Sequence, residues 1–253
     1  MTRAFDAGRV PVTTTSEQDR AHFERGRTAA HHDRFALARD ELDAALALDP
    51  AFAVALLHRG GSATRLAECR GFIEAAEANR SRASEAEGRM IDAFRAFLLD
   101  ADHDLAVEIL QTLSAAVPAD PYLSSYLGLR YYRNLQRLDE AAAQFREALA
   151  RDATFVQADH WLGRIALDRD DLVMAKAMFE RYAALAPDEP RAHDSLGLLC
   201  LREGRHADAV RAFEQALARD PRFDESRVNL ERARAARADA DGLRPADTTE
   251  GGA

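Results

Sequence analysis

The side chains able to do chemistry in this 253-residue chain are eight histidines, two cysteines, 43 acids and 34 bases, and their spacing decides what they could do. Only His31 and His32 are adjacent. Neighbours on a helix point about 100° apart, so this pair makes a poor joint metal ligand without further donors. Asp100, Asp102 and Asp104 reproduce the opening of a calcium loop, but Leu105 stands where such a loop needs glycine and Gln111 where it needs a bidentate glutamate. They read instead as turn formers and helix caps, as do Asp168, Asp170 and Asp171. Cys69 and Cys200 lie 131 positions apart, neither a disulfide framework nor a metal-spaced cluster. The chain has no GxxxxGKS or GxxxxGKT loop, no GxGxxG, no GxSxG elbow and no HExxH. The expectation is a protein that is not an enzyme, with no catalytic residue, no metal and no cofactor.

The elements that carry these residues must be helices. Aromatics are 7% of the chain, Gly and Pro together number 21, and 47% of residues are apolar, which suits an all-α chain with a sizeable core. A net charge of −9 argues against a nucleic-acid partner. No run approaches the ~18 apolar residues of a membrane span, so none is expected. Residues 1–16 contain no apolar leader core, which points to the cytoplasm, or to the periplasm if a leader has been removed.

A repeat organises the chain. Gly26, Gly60, Gly128, Gly163 and Gly197 follow at intervals of 34, 68, 35 and 34, with Phe94 in the skipped place. Ala38, Phe72, Ala106, Ala141, Ala175 and Ala209 form a second column, and Leu42, Ala76, Leu110, Phe145, Phe179 and Phe213 a third. A fourth is Pro50, Ser84, Pro118, Ala153, Pro187 and Pro221. Small residues where two helices cross allow close approach, a large one a turn later fills the seam, and proline ends the unit.

These columns resemble the tetratricopeptide repeat family, including bacterial members, whose helix–turn–helix unit is 34 residues long. The resemblance implies a right-handed superhelical α-solenoid of six units, 19–52, 53–86, 87–120, 121–155, 156–189 and 190–223. Segment 1–18 is expected to be extended or disordered, 224–238 to be a capping helix and 239–253 a disordered tail. The second unit is the poorest match, so its second helix is expected to be short or displaced. The extra residue of the fourth unit is expected in the turn around Asn134, Leu135 and Gln136. Four units apart, Cys69 and Cys200 would lie roughly 30 Å or more from each other. The opening Val10-Pro11-Val12-Thr13-Thr14-Thr15 is similar to the start of bacterial repeat proteins, some of them exported.

In the family the first helix of each unit lines a concave groove at its second, fifth, ninth, twelfth and thirteenth positions. Carried over, those 30 positions hold eight arginines and two acids, where average composition gives about four bases and five acids. The implied partner-binding residues are Arg27, Arg65, Arg95, Tyr122, Tyr132, Arg133, His160, Arg164, Arg191 and Arg202. Arginine forks pair with carboxylates and the tyrosines offer aromatic anchors. Arginine stems that merely cover apolar helix are the competing reading. The family's two-carboxylate clamp uses Lys and Asn, which these positions lack. The expected function is a non-catalytic interaction scaffold or adaptor whose groove takes a peptide or helix, an acidic segment, of a protein partner. The alternative is an accessory or regulatory subunit that oligomerises through the solenoid ends. The repeats leave the oligomeric state open.

Overall fold

Helix caps and turns set the architecture, and the computed structural model describes them for residues 10–32, 34–240 and 242. Among these residues every regular element is helical. α1 (Glu17–His31) pairs with α2 (Phe35–Leu48), α3 (Ala53–Gly61) with α4 (Leu66–Ala78), and α5 (Glu85–Leu98) with α6 (His103–Ala116). α7 (Pro121–Arg133) pairs with α8 (Leu138–Arg151), α9 (Val156–Asp168) with α10 (Leu172–Leu185), and α11 (Pro190–Arg202) with α12 (His206–Arg219). A final helix, α13, spans Asp224–Ala240, two residues beyond the expected cap. The expected tails, for residues 1–9, 241 and 243–253, lie outside the described residues.

Polar side chains start the helices. Ser16 with Asp19, and Ser84 with Glu87, form reciprocal capping boxes on α1 and α5, while Asp102, Asp120 and Asp171 cap α6, α7 and α10. The seam between paired helices is a glycine against a ring. Phe145, Phe179 and Phe213 are fully buried, and each fills the space that a side chain at Gly128, Gly163 or Gly197 would need. A further column lies in the turns, where Ala101, Gln136, Asp170 and Gly204 all have φ between 53° and 72°. This left-handed residue ends the first helix of its pair. The turn of the fourth pair, residues 134–137, matches turn 99–102 of the third pair in length, and both are one residue longer than turns 169–171 and 203–205.

The second pair departs from expectation. Its first helix is the short one, nine residues against thirteen in α4. Gly60 and Gly61 weaken the end of α3, and the Ser62 backbone and hydroxyl close it on the His58 carbonyl. A 3₁₀ turn, Arg80–Arg82, follows α4. It is anchored by two forks: Arg80 on Asp92 at 2.7 Å and Arg82 on Asp49 at 2.9 and 3.0 Å.

The chain divides into two compact units, Met1–Trp161 and Leu162–Ala253. In unit 1 each helix packs on its chain neighbour, and α3 also packs on α5. In unit 2 α10 to α13 pack in the same sequential way, with α11 also on α13. Ahead of α1, residues 10–16 form no helix or strand and bend at Thr15. Val12 packs on a core of Phe23, Leu42, Ala45 and Phe52. The Val10 amide donates to Asp120 at 3.0 Å and the Thr13 amide to Glu87 at 2.7 Å.

Candidate functional site

In unit 1 the first helices of the pairs converge on a cluster of rings. His58 of α3 lies 5.2 Å from Phe23, 5.6 Å from Phe94 and 6.1 Å from Tyr126, centroid to centroid. His31 of α1 sits 4.7 Å from Tyr122 and 4.8 Å from Tyr126. Thr28 and Tyr122 hydroxyls share a 3.3 Å hydrogen bond, and Gln157 Nε2 donates to His32 Nε2 at 2.8 Å. α1 therefore touches α7 and the start of α9 through these side chains. Burial drives both His58 and His31 toward the neutral form. His58 is pushed down to about 3, with Arg27 adding to the effect, and His31 falls well below the usual histidine range. Burial also raises the Tyr126 phenol well above its ordinary value.

Beside this cluster is a cavity of about 240 Å³, bounded by α1, α3, α5, α6, α7 and Trp161. Arg130 reaches it from α7 with its guanidinium 3.3 Å from the centroid of the Phe97 ring. Burial, then the neighbouring Arg133, lowers the Arg130 pKa to about 9. Its Nε is buried without a hydrogen-bond partner. Arg133 lies over Trp161 at 4.6 Å, and Trp161 is stacked at 15° on Phe145. The Trp161 Nε1 and both ring nitrogens of His31 are buried and unpartnered. Both residues line the cavity.

Within each unit the groove residues read from sequence differ in burial and in what they touch. Arg27 is folded onto Tyr122 at 3.9 Å and pairs with Glu24 of its own helix. Tyr122 packs under it, and His160 is buried with its ring 4.7 Å from Trp161. His160 is buried, and Arg27 and Tyr122 are half-buried where α1 meets α7. Tyr132 sits 5.4 Å from Trp161, and Arg133, over the same ring, is exposed. Arg65 and Arg95 are exposed, with Arg95 3.6 Å from Asp100.

Unit 2 engages its arginines internally. Arg191 is fully buried over the Phe223 ring, and it meets Glu225 of α13 at 2.8 Å. Arg164 approaches the same carboxylate at 3.4 Å, and Arg202 pairs with Asp170 at 2.8 Å. Buried Asp194 accepts from Ser226 at 2.7 Å and Asn229 at 3.1 Å, and burial raises its pKa. Cys69 and Cys200 are free, buried thiols whose pKa values burial raises. Among the described residues no group of His, Cys, Asp or Glu is placed to hold a metal, and no helix is long and apolar enough to cross a membrane.

Sequence reasoning missed Arg130, His58, Tyr126 and Trp161, which occupy no groove position. Arg130 and Arg133 share a helix face at i and i+3, a spacing that was available to read.

The glycine–phenylalanine seams and sequential packing define an all-α helical-repeat protein of the solenoid class. Two family profiles, both described as tetratricopeptide repeat, match the chain, one over residues 190–223 and the other over 2–51 and 126–190. The chain belongs to the tetratricopeptide repeat family, a family of protein-interaction scaffolds that are typically not catalytic. No curated protein sequence matches it. Among solved structures it is similar to the Cut9–Hcn1 hetero-tetramer of the APC/C, with TM-score 0.54 and 20% identity over 86% of this chain and 43% of that one. The chain thus spans less than half the length of that relative. It is also similar to TTC0263, a thermophilic TPR protein of Thermus thermophilus, with TM-score 0.52 and 18% identity over 86% of this chain and 99% of that one.

Proposed function

We propose that the protein is a non-catalytic adaptor that binds an acidic peptide segment of a partner protein on the arginine-bearing face of unit 1. The observation that carries this reading is the cavity mouth, where Arg130 and Arg133 stand together and no acid among the described residues lines the wall. Exposed Arg95 lies on α5, the helix whose Phe97 carries Arg130, and shares its charge with Asp100 at 3.6 Å. An extended acidic peptide with an aromatic residue would offer carboxylates to the guanidiniums and a ring to the apolar wall.

Fluorescence anisotropy with labelled acidic decapeptides and charge-neutral scrambles tests the proposal. The acidic peptides should bind the full chain, more weakly as salt rises. Binding should be lost in an Arg95→Glu, Arg133→Glu double variant and kept in Arg202→Glu. Equal binding of acidic and neutral peptides, or unchanged binding to the double variant, would rule the proposal out.

A further inference from the structure

The cavity next to Arg130 has a chemistry of its own. Its volume of about 240 Å³ is that of about eight waters at ~30 Å³ each. This is room for one body the size of an amino-acid residue, and too little for a helix. Phe94, Phe97, Tyr126 and Trp161 form much of the wall, which suits a flat or branched apolar body. Among the described residues the charged groups on the wall are two arginines, because His31 and His58 stay neutral in the same burial. The Arg130 guanidinium rests on Phe97, and its Nε is buried without a hydrogen-bond partner. The donor of Trp161 Nε1 and the ring nitrogens of His31 are likewise buried and unmatched. Buried polar groups are nearly always paired, so several unpaired ones around one cavity mark a place for a ligand.

We infer that the cavity is a receptor for one carboxylate carried on a compact apolar body, with Arg130 supplying the charge and the Trp161 ring part of the apolar wall. A monoanion is favoured over a phosphate dianion, since a second charge would add a further desolvation cost among aromatic walls. Two sources share this chemistry: a free small carboxylic acid, and the C-terminal residue of a partner peptide. For the peptide source the inference rests on the adaptor reading; for the free acid it stands without it.

The chain's single tryptophan is Trp161, so its emission reports on the cavity wall itself. Full-length protein is titrated with 3-phenylpropanoate, its amide, inorganic phosphate, and a pentapeptide ending in phenylalanine as free acid or amide. A saturable emission change is expected with at least one acid and with neither amide nor phosphate. Arg130→Gln should weaken it at least about tenfold, the effect of losing a charged hydrogen bond, while far-UV circular dichroism stays unchanged. Gly61→Leu is the second variant. A Cβ at Gly61 meets Phe94 at an ordinary 3.5 Å, so the longer side chain fills the mouth with both arginines kept. Its binding should be lost too. Response to the small acid alone, or to the peptide acid alone, supports the inference and identifies the source. No response to either acid, equal response to acid and amide, a response to phosphate, or full-strength binding by Arg130→Gln overturns it. Small-acid binding without capture of acidic peptides supports this inference and removes the adaptor reading; the reverse pattern does the opposite.

Discussion

Arg191 in unit 2 and Arg130 in unit 1 are both arginines on the first helix of a repeat, both rest on a phenylalanine ring, and they differ in what faces them. Arg191 meets Glu225, which α13 brings back against α11. Arg130 meets Phe97, Arg133 and a cavity with no acid among the described residues of its wall. A terminal helix that folds onto the last repeat supplies the carboxylate that an internal repeat lacks. An arginine at a repeat position is therefore structural or available according to its neighbours, and the repeat position alone does not decide which.

The sharpest way to break this contrast is to remove each charge. Arg191→Met should cost about 2–3 kcal/mol, less than the full penalty of splitting a buried pair because the Glu225 side chain left behind is 39% exposed. Arg130→Met should cost nothing and gain up to about 1 kcal/mol, since an unpaired, partly buried guanidinium is replaced by a flexible apolar chain of similar reach. Urea denaturation of the full chain measures both. Equal losses in the two variants would mean that Arg130 has a structural partner.

Acid should separate the units next. In unit 1 the folded-state pKa of His58 is about 3 against an ordinary 6.5, so between these values the unfolded chain binds more protons. The stability from neutral His58 is complete above pH 6.5 and is lost as pH falls, by about 2 kcal/mol at pH 5. His31 acts in the same direction. In unit 2 the sign is opposite. Burial raises Asp194 above its ordinary 3.8, so the folded state holds its proton to higher pH and stability falls as pH rises through that range. Hydrogen exchange should show amides of α3 and α7 losing protection between pH 7 and 5, and those of α11 holding theirs. His58→Phe should flatten the unit 1 response.

The glycine seams test what the units share. Gly163→Ala in unit 2 puts a Cβ 2.3 Å from Phe179, and Gly128→Ala in unit 1 puts one 2.8 Å from Phe145. Both rings are fully buried, so each change should cost about 1–2 kcal/mol by overpacking, with Gly163→Ala the worse. Gly71→Ala meets nothing within 4 Å on α4 and should stabilise by about 0.5–1 kcal/mol. Thermal melts of the three variants rank them.

These seams were legible because a contact between the two helices of one repeat is written in residue size at a fixed spacing. The contacts between distant repeats of unit 1 were not. His31 against Tyr126 and His32 against Gln157 join repeats far apart in sequence, and depend on how the intervening helices stack. The excess of arginine at groove positions was read correctly as composition, but Glu225 lies in the last helix and Glu24 on α1 itself, outside any groove column. Arg130 fell between columns, and the short α3 came from a glycine pair whose first member also serves the seam.

The turn column was hidden for a different reason: its shared property is a backbone angle, and the residues that adopt it are unrelated. Ala101 and Gln136 in unit 1 and Asp170 in unit 2 hold φ of 54°, 53° and 60°, where only Gly204, at 72°, is the favoured residue. An L-residue there gives up ~1–2 kcal/mol, of which glycine's greater unfolded freedom returns part. Ala101→Gly should therefore stabilise by about 0.5–1 kcal/mol. Asp170→Gly should be near neutral, because aspartate tolerates this region and the change also removes the 2.8 Å contact with Arg202. Gly204→Ala should cost about 1 kcal/mol. If Ala101→Gly and Asp170→Gly instead stabilise equally, the Arg202 pair contributes nothing measurable, and Arg202 then joins Arg95 and Arg133 as a candidate contact for an acidic partner.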